Sequence, residues 1–101
     1  MFEVQWTRIA RGELGQLPAH QRARIYDEID EFLVPSANVE APPKRKQIRG
    51  LRPPWSQIPV PFWQLRVDPY RVFYVIDAAS PVAVIMAIRL KPRGRRTEDI
   101  L

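Results

Sequence analysis

The chain has 101 residues, of which 46% are hydrophobic and 27% are charged, and its formal net charge is +5; this mixture is typical of one folded domain and excludes a disordered tail. Because the chain has no cysteine, neither a disulfide framework nor a thiolate metal site is available to it. No apolar run approaches the roughly 18 residues that a membrane span requires, so we expect a single cytoplasmic domain over residues 1–101 without membrane contact.

The first third of the chain predicts a strand followed by two helices. Residues 2–7 alternate apolar and polar side chains, which is the period of a half-buried strand. Thr7 can then cap a short helix that ends near Gly15. Residues 19–33 keep their apolar side chains on one stripe, with charged residues on the other sides, and predict a second helix.

Residues 34–61 hold seven prolines, which deny this stretch both a long helix and a central strand. We therefore expect a connection between the helices and the rest of the fold. A connection of this length is unusual within a compact domain. It is either functional or held in place by its own apolar residues, such as Trp55 and Ile58.

The last part of the chain predicts three strands, the runs FWQLRV, YRVFYVID and VAVIMAIRL, joined by turns at 68–69 and 78–81. Consecutive strands with short turns form an antiparallel meander. Alternation predicts that one face of the meander enters the core, with Trp63, Leu65, Val67, Tyr70, Val72, Tyr74, Ile76, Val82, Val84, Met86 and Ile88 on it. Together with the first strand and the two helices, this order predicts an α+β fold whose helices pack on one face of a curved sheet.

The positive charge is concentrated in the second part of the chain. Residues 1–43 carry four arginines against seven acidic residues, whereas residues 44–101 carry twelve basic residues against four acidic ones. The strand positions out of phase with the predicted core hold Gln64, Arg66, Arg71, Arg89 and Lys91. We expect their cations to gather on the sheet face turned away from the helices. Such a surface attracts phosphate polymers or an acidic partner, and the alternative is an ordinary solvated basic surface.

Arg71 is the strongest single candidate for a functional residue, because it lies inside an apolar strand between Tyr70 and Val72. A guanidinium held by a sheet can stabilise a phosphate as it becomes pentavalent, since its planar fork meets two oxygens without reorganising. The alternative role of Arg71 is an ion pair with Asp68 or Asp77. The sequence leaves both roles open.

Other chemistries have little support. His20 is the only histidine and lies at the start of a predicted helix, so we expect neither a His-dependent triad nor a zinc site. The four glycines have no phosphate-loop or dinucleotide-binding spacing. We therefore expect a protein without metal or other cofactor.

Several short motifs, in their order along the chain, resemble those of the RelE/ParE toxin superfamily, especially its phage-derived HigB-like branch. The motifs are Lys46–Gly50, Trp63–Arg66, Tyr70–Tyr74 and Lys91–Ile100, and they follow Trp6-Thr7 and Leu17-Pro18. The resemblance covers nearly the whole chain. It implies a type II toxin that enters the ribosome and cleaves mRNA by activating a ribose 2′-hydroxyl against the adjacent phosphate, and that a cognate antitoxin inhibits.

The resemblance also implies roles for individual residues. Arg71 corresponds to the transition-state arginine and Arg66 to a second arginine of the active face. Lys91 and Arg93 fall near the C-terminal position where many members keep a further cation. A conventional general base is not visible in the sequence, unless Tyr70 or a carboxylate fills that role. The resemblance implies RNA contacts for Lys44 and Lys46. The other cations of the basic segments are further candidates for RNA binding: Arg49, Arg89, Arg93, Arg95 and Arg96.

Two departures from the family pattern leave other functions open. Many nuclease members carry a His, Tyr or Glu near the end of the last strand or in the tail, where this chain offers only Thr97, Glu98 and Asp99. Gln64 stands where the branch often has Glu. The alternatives are a ParE-like inhibitor of DNA gyrase without nuclease chemistry, and an inactive domain that binds nucleic acid or an antitoxin.

Overall fold

The computed structural model describes residues 1–77 and 79–101, and that part of the chain contains five strands and three helices. In chain order they are β1 (Glu3–Trp6), α1 (Arg8–Gly15), α2 (Ala19–Phe32), β2 (Arg45–Ile48), β3 (Phe62–Val67), β4 (Tyr70–Asp77), β5 (Val82–Leu90) and α3 (Thr97–Ile100). The strands form one mixed sheet in the order β1-β5-β4-β3-β2. The predicted α+β class is confirmed. Among the described residues, no helix has the length and apolar character needed to span a membrane.

The N-terminal strand lies at one edge of the sheet, where it pairs in parallel with β5 and places Trp6 opposite Ile85. Thr7 follows it as the predicted cap of α1. Its Oγ1 accepts a hydrogen bond from the Ala10 amide at 3.1 Å and donates one to the Ile85 carbonyl at 3.0 Å. The cap satisfies an amide that the helix leaves without a partner, and it ties the start of α1 to β5.

The helices α1 and α2 pack on one face of the sheet, as predicted, and bury most of the apolar side chains there. The buried residues of this helix-side core are Ala10, Leu14, Ile25, Ile29, Leu33, Ala37, Trp63, Leu65, Val67, Val72, Tyr74, Ala83, Ile85 and Ile88. Tyr70 and Ile76 pack against the cluster and are partly buried. The core residues predicted on β3 and β4 are therefore confirmed, and their burial drives the docking of the helices.

The core residues predicted on β5 are wrong in part, because a bulge inverts the strand's alternation. Phe73 lies opposite Ala87 but the next residue, Tyr74, lies opposite Ile85, so Met86 is an extra residue on β5. An extra residue shifts every following side chain to the other face. Consequently Ala83 and Ile85 enter the helix-side core in place of Val82, Val84 and Met86, whereas beyond the bulge Ile88 is buried as predicted.

The predicted connection contains a strand that its prolines concealed. The four residues of β2 pair antiparallel with β3, with Arg45 opposite Leu65 and Ile48 opposite Phe62. Because β2 is short and forms the edge of the sheet, the prolines at 42, 43 and 53 lie beyond its ends and remove no ladder hydrogen bond. The meander therefore has four antiparallel strands rather than three.

A smaller apolar cluster, the outer core, lies on the opposite face of the sheet. Its buried residues are Ile48, Phe62, Phe73 and Ala87, and Leu51, Trp55, Val75, Ile100 and Leu101 pack against them. Trp55 holds the proline-rich connection in place, as predicted, with its ring centroid 5.4 Å from that of Phe62. Ile58 does not, since it is 64% exposed. The face turned away from α1 and α2 is thus apolar in one part and basic only in the other.

Candidate nucleic-acid interface

A cavity of about 570 Å³ opens on the sheet face opposite α1 and α2. Its walls come from β2, β3, β4, the chain just beyond β5 and the C-terminal tail. The lining residues are Pro42, Pro43, Lys46, Ile48, Leu51, Gln64, Arg66, Arg71, Lys91, Arg95, Arg96, Thr97 and Glu98. We call this space the basic cavity.

The lining of the basic cavity is strongly cationic. It holds six Lys or Arg side chains and, among the described residues, a single carboxylate, that of Glu98. Cations gathered on low-dielectric walls focus a positive potential into the cavity and attract anions such as phosphate groups. Within residues 1–77 and 79–101, no group of three His, Cys, Asp or Glu side chains is placed to hold a metal ion. The six cationic side chains of the lining can themselves stabilise negative charge in the cavity.

Arg66, Arg71 and Lys91, three of the four residues proposed for catalysis, line this cavity together. Arg66 on β3 lies directly opposite Arg71 on β4. The side chain of Arg71 is 8% exposed, whereas that of Arg66 is 42% exposed. Strand alternation thus brings the predicted arginines to one surface, and the strands hold their backbones rigidly.

Both arginines are bonded to Asp68, which lies in the turn between their strands. Arg66 Nε donates to Asp68 Oδ2 at 2.7 Å, and Arg71 Nη1 donates to Asp68 Oδ1 at 2.9 Å. Burial raises the pKa of the Asp68 carboxyl, but the hydrogen bonds and charges of the two guanidinium groups outweigh it and hold this pKa below its ordinary value. The ion pair that the sequence offered as an alternative role for Arg71 is therefore present, with Asp68 as the partner.

The predicted RNA-contact residues fall into two groups. Lys46, Arg95 and Arg96 line the basic cavity, and the Arg96 side chain is 78% exposed. Arg49 and Arg93 are exposed outside its lining. Arg49 donates to Gln47 Oε1 at 2.6 Å. Three of the predicted RNA contacts thus line the cavity, and two lie on the exposed surface outside its lining.

Lys44 and Arg89 are paired with helix residues instead of facing the cavity. Lys44 Nζ lies 2.8 Å from Glu28 Oε2 of α2 and 4.6 Å above the ring centroid of Phe32. Arg89 forms an ion pair with Glu13 of α1, because β5 extends beyond the end of β1 and α1 lies beside that part of it. Arg89 lies opposite Arg71 and shares its sheet face, as expected, but unlike Arg66, Arg71 and Lys91 it does not line the basic cavity.

Tyr70, the tyrosine proposed as general base, lies on the other side of the sheet. Its side chain packs against the helix-side core. Neighbouring residues of a strand point to opposite faces, so Tyr70 and Arg71 cannot both face the cavity. The structure therefore does not bring Tyr70 into the basic cavity with Arg66, Arg71 and Lys91.

The tail forms a short helix, α3, which the sequence did not predict, and it places the carboxylate of Glu98 in the cavity lining. Thr97 Oγ1 donates to Oε1 of the buried Gln64 at 2.8 Å, which docks the start of α3 on β3. The Arg96 amide donates to Asp99 Oδ2 at 3.0 Å, a contact of the capping-box type. The acidic pair Glu98-Asp99 just after Thr97 was the available signal, since carboxylates favour the first turn of a helix.

The fold matches that of solved toxins from toxin–antitoxin systems. In the RelBE2 complex of Mycobacterium tuberculosis the match has a TM-score of 0.62 and 22% identity, over 89% of this chain and 98% of that one. In the archaeal RelE-RelB complex of Pyrococcus horikoshii OT3 the TM-score is 0.60 with 21% identity, over 94% and 98%. In the isolated E. coli RelE toxin it is 0.62 with 16% identity, over 94% and 89%. The architecture is thus that of RelE/ParE-type toxins.

The sequence itself identifies the family. Residues 4–94 match the family described as the ParE toxin of the type II toxin-antitoxin system, parDE. Among curated protein sequences there is no significant match. Because the family match spans most of the chain, this protein belongs to the ParE toxin family of type II toxin–antitoxin systems.

Proposed function

We propose that this toxin is a ribosome-dependent endoribonuclease that inhibits translation by cutting mRNA. The observation that carries the proposal is the convergence of Arg66, Arg71 and Lys91 on one cavity whose lining holds six cations. Arg66 and Arg71 lie on paired strands. The strands hold both side chains in position, so that little reorganisation is needed as the phosphate gains charge. A concave, rigid cluster of cations suits the recognition of a phosphate that gains charge.

The chemistry needs only RNA itself as reactant. The 2′-oxygen attacks the adjacent phosphorus, the bond from phosphorus to the 5′-oxygen breaks, and the products are a 2′,3′-cyclic phosphate and a free 5′-hydroxyl. The proton lost by the 2′-hydroxyl goes to a base, and the 5′-oxygen receives one from an acid. Arg71 stabilises the charge on the non-bridging phosphoryl oxygens through its planar N–H fork.

Proton transfer in this cavity depends on few groups. Apart from the arginines, its described titratable lining residues are Lys46, Lys91 and Glu98. Glu98 is the candidate base, since its carboxylate can accept the proton of the 2′-hydroxyl. Acid–base assistance contributes less than positioning when the ribosome holds the message in an attacking geometry.

A ParE-like inhibitor of DNA gyrase is the second candidate function. The observation that favours it is the family match itself, which is to the parDE toxin. The bridge between Arg71 and Asp68 also favours it, because an arginine already paired to a carboxylate has less charge to offer a phosphate. An inactive domain that binds nucleic acid or an antitoxin is the third.

The proposal also covers the branch of the toxin superfamily, the protein partner and the cellular location of this chain. The run Trp63–Arg66 on β3 and the run Tyr70–Tyr74 on β4 support the phage-derived HigB-like branch, because the motifs that resemble it are neighbours in the sheet. Complexes of RelE toxins with RelB antitoxins among the solved relatives support a cognate antitoxin for this chain. A single-domain toxin that acts on ribosomes and mRNA works in the cytoplasm.

The test is induced expression of the wild-type chain, of Arg71→Ala and of Arg11→Ala, a control that removes an exposed cation on α1. We expect new mRNA ends with 5′-hydroxyl groups inside translated reading frames for the wild type and Arg11→Ala, and none for Arg71→Ala. Plasmid supercoiling is measured in the same cells. Altered supercoiling without new mRNA ends would reject the nuclease function in favour of gyrase inhibition. If neither mRNA ends nor supercoiling change, the result favours the inactive binding domain.

A further inference from the structure

The positions of Arg66 and Arg71 in the sheet are electrostatically unfavourable, because they bring like charges together. Arg66 and Arg71 are direct cross-strand partners, and Arg71 is also the cross-strand partner of Arg89 on β5. Like charges directly opposite each other destabilise a strand pair. Arg89 is neutralised from the helix side by Glu13, so the remaining pair needs an anion of its own.

The carboxylate of Asp68 is that anion, and it pairs with both arginines at once. Val67 and Tyr70 form the last pair of β3 and β4, so Asp68 is the first residue of the tight turn that joins them. One carboxylate oxygen accepts from Arg66 at 2.7 Å and the other from Arg71 at 2.9 Å. A single carboxylate therefore fixes the position of one guanidinium relative to the other.

The backbone of this turn is itself anchored from two directions. Arg24 of α2 donates a hydrogen bond to the carbonyl of Asp68. The amide of Lys91 donates to the carbonyl of Pro69 at 2.8 Å. The arginines are thus positioned by a carboxylate whose place is set by α2 and by the end of β5.

The bridge takes up only part of each guanidinium group. It uses Nε of Arg66 and Nη1 of Arg71, so two nitrogens of each group do not take part in it. Both side chains nevertheless line the cavity. A phosphate can therefore meet the N–H groups that lie outside the bridge while Asp68 continues to hold both arginines.

We propose that Asp68 is a positioning residue, which sets the two guanidinium groups so that they meet one phosphate together without reorganising. This inference rests on the proposed nuclease function. In Asp68→Asn the side chain keeps its size but loses its charge, and its NH2 group turns a donor toward one of the two guanidinium donors. The arginines then lose their fixed relation although both remain in the cavity.

The consequence is a split between catalysis and binding. Misplacement of catalytic groups by about 1 Å can lower a rate by about a hundredfold, so we expect Asp68→Asn to cut RNA about tenfold to a hundredfold more slowly. RNA binding should not weaken, because the variant removes a negative charge beside a cationic cavity. Asp68→Glu, which keeps the charge, should recover part of the rate.

The test measures single-turnover cleavage on mRNA-programmed ribosomes and the affinity for a single-stranded RNA oligonucleotide in the purified toxin. Asp77→Asn is the matched control, since it removes an exposed carboxylate at the other end of β4, and we expect it to behave as the wild type. Unchanged or faster cleavage in Asp68→Asn would overturn the inference, as would equal losses of cleavage, affinity and thermal stability.

A readout independent of nuclease activity keeps the two proposals separable. In ¹⁵N-arginine NMR spectra, assigned with Arg66→Lys and Arg71→Lys, the side-chain signals of both arginines should be resolved and slow to exchange in the wild type. They should be averaged in Asp68→Asn and unchanged in Asp77→Asn. Identical arginine signals in Asp68→Asn would reject the bridge even if the wild type cuts mRNA. A wild type without cleavage would reject the nuclease even where the signals differ.

Discussion

The hydroxyl of Tyr74 donates a 2.7 Å hydrogen bond to the carbonyl of Ala37. Both residues are fully buried, and 37 positions separate them along the chain. The bond therefore joins the centre of the sheet to the connection that follows α2. Burial raises the pKa of the Tyr74 phenol above its ordinary value, although the charge of Arg45 acts in the opposite direction.

We predict that Tyr74→Phe lowers the free energy of unfolding by about 1–3 kcal/mol at neutral pH, because the buried Ala37 carbonyl then has no donor. The folded phenol has the higher pKa, so its contribution is complete below the unfolded pKa of 10.0 and is lost as the pH rises above it. The gap between wild type and variant should therefore shrink in strongly alkaline buffer. Urea unfolding across this pH range checks both statements, with the half-exposed Tyr26→Phe as control. A gap that does not depend on pH would contradict the assignment.

Arg45 and Lys46 are neighbours on β2 that face opposite sides of the sheet. The buried guanidinium of Arg45 donates to the carbonyls of Phe32 and Val39 at the end of α2 and just beyond it. Lys46 lies opposite Gln64 and lines the basic cavity. Two adjacent cations thus have different functions, one in the fold and one at the interface.

We predict that Arg45→Met lowers the free energy of unfolding by about 2–4 kcal/mol, since it leaves buried carbonyls without donors. Lys46→Met should leave stability unchanged. If Lys46 neutralises one phosphate, its loss lowers the slope of log affinity against log salt by about 0.7 for single-stranded RNA. Urea unfolding and RNA titrations at several salt concentrations separate the two effects. Similar results for both variants would contradict the assignment of the two faces.

The sequence predicted those parts of the fold that depend on regular alternation. On β3 and β4 the pattern is unbroken, so both the core residues and the arginines on the other face were assigned correctly. On β5 the extra residue Met86 breaks the pattern, and a bulge leaves no mark in a run of apolar residues such as VAVIMAIRL. The short edge strand β2 was missed for a related reason, since four residues between prolines carry too little pattern.

The site was predicted less completely than the fold, because some of the candidate cations form ion pairs with carboxylates of the helices. Lys44 and Arg89 have the residue types of RNA contacts, but Glu28 and Glu13 neutralise them from the helices. Sequence alone cannot pair residues that lie 16 or 76 positions apart. Glu98 lines the cavity because the tail is docked on the sheet, by the bond from Thr97 to Gln64 and by the packing of Ile100 and Leu101 against the outer core.

The pair Arg89–Glu13 leads to a prediction that distinguishes a structural cation from a functional one. Glu13 also accepts a hydrogen bond from the Ile88 amide at 3.0 Å, at the part of β5 that β1 does not cover. We predict that Arg89→Ala keeps growth inhibition and costs about 0.2–1 kcal/mol of stability, as for a partly exposed ion pair. Glu13→Ala should cost more, because it also leaves a strand amide without its acceptor. Thermal unfolding measures the stability of both variants, and growth assays measure their toxicity. Loss of toxicity in a folded Arg89→Ala protein would mean that Arg89 takes part in the toxic activity.

Arg71 permits the sharpest separation of charge from geometry. We predict that both Arg71→Ala and Arg71→Lys abolish growth inhibition, because an ammonium group keeps the charge but lacks the planar fork that meets two phosphate oxygens. Neither variant should unfold, since the Arg71 side chain faces the cavity and Asp68 keeps Arg66 as its partner. Growth after induction gives the first result, and circular dichroism with thermal unfolding of the purified variants gives the second. Arg11→Ala, which removes an exposed cation on α1, is the control and should remain toxic. A folded Arg71→Lys toxin that still arrests growth would mean that charge alone suffices at this position, and the transition-state role proposed for Arg71 would then be wrong.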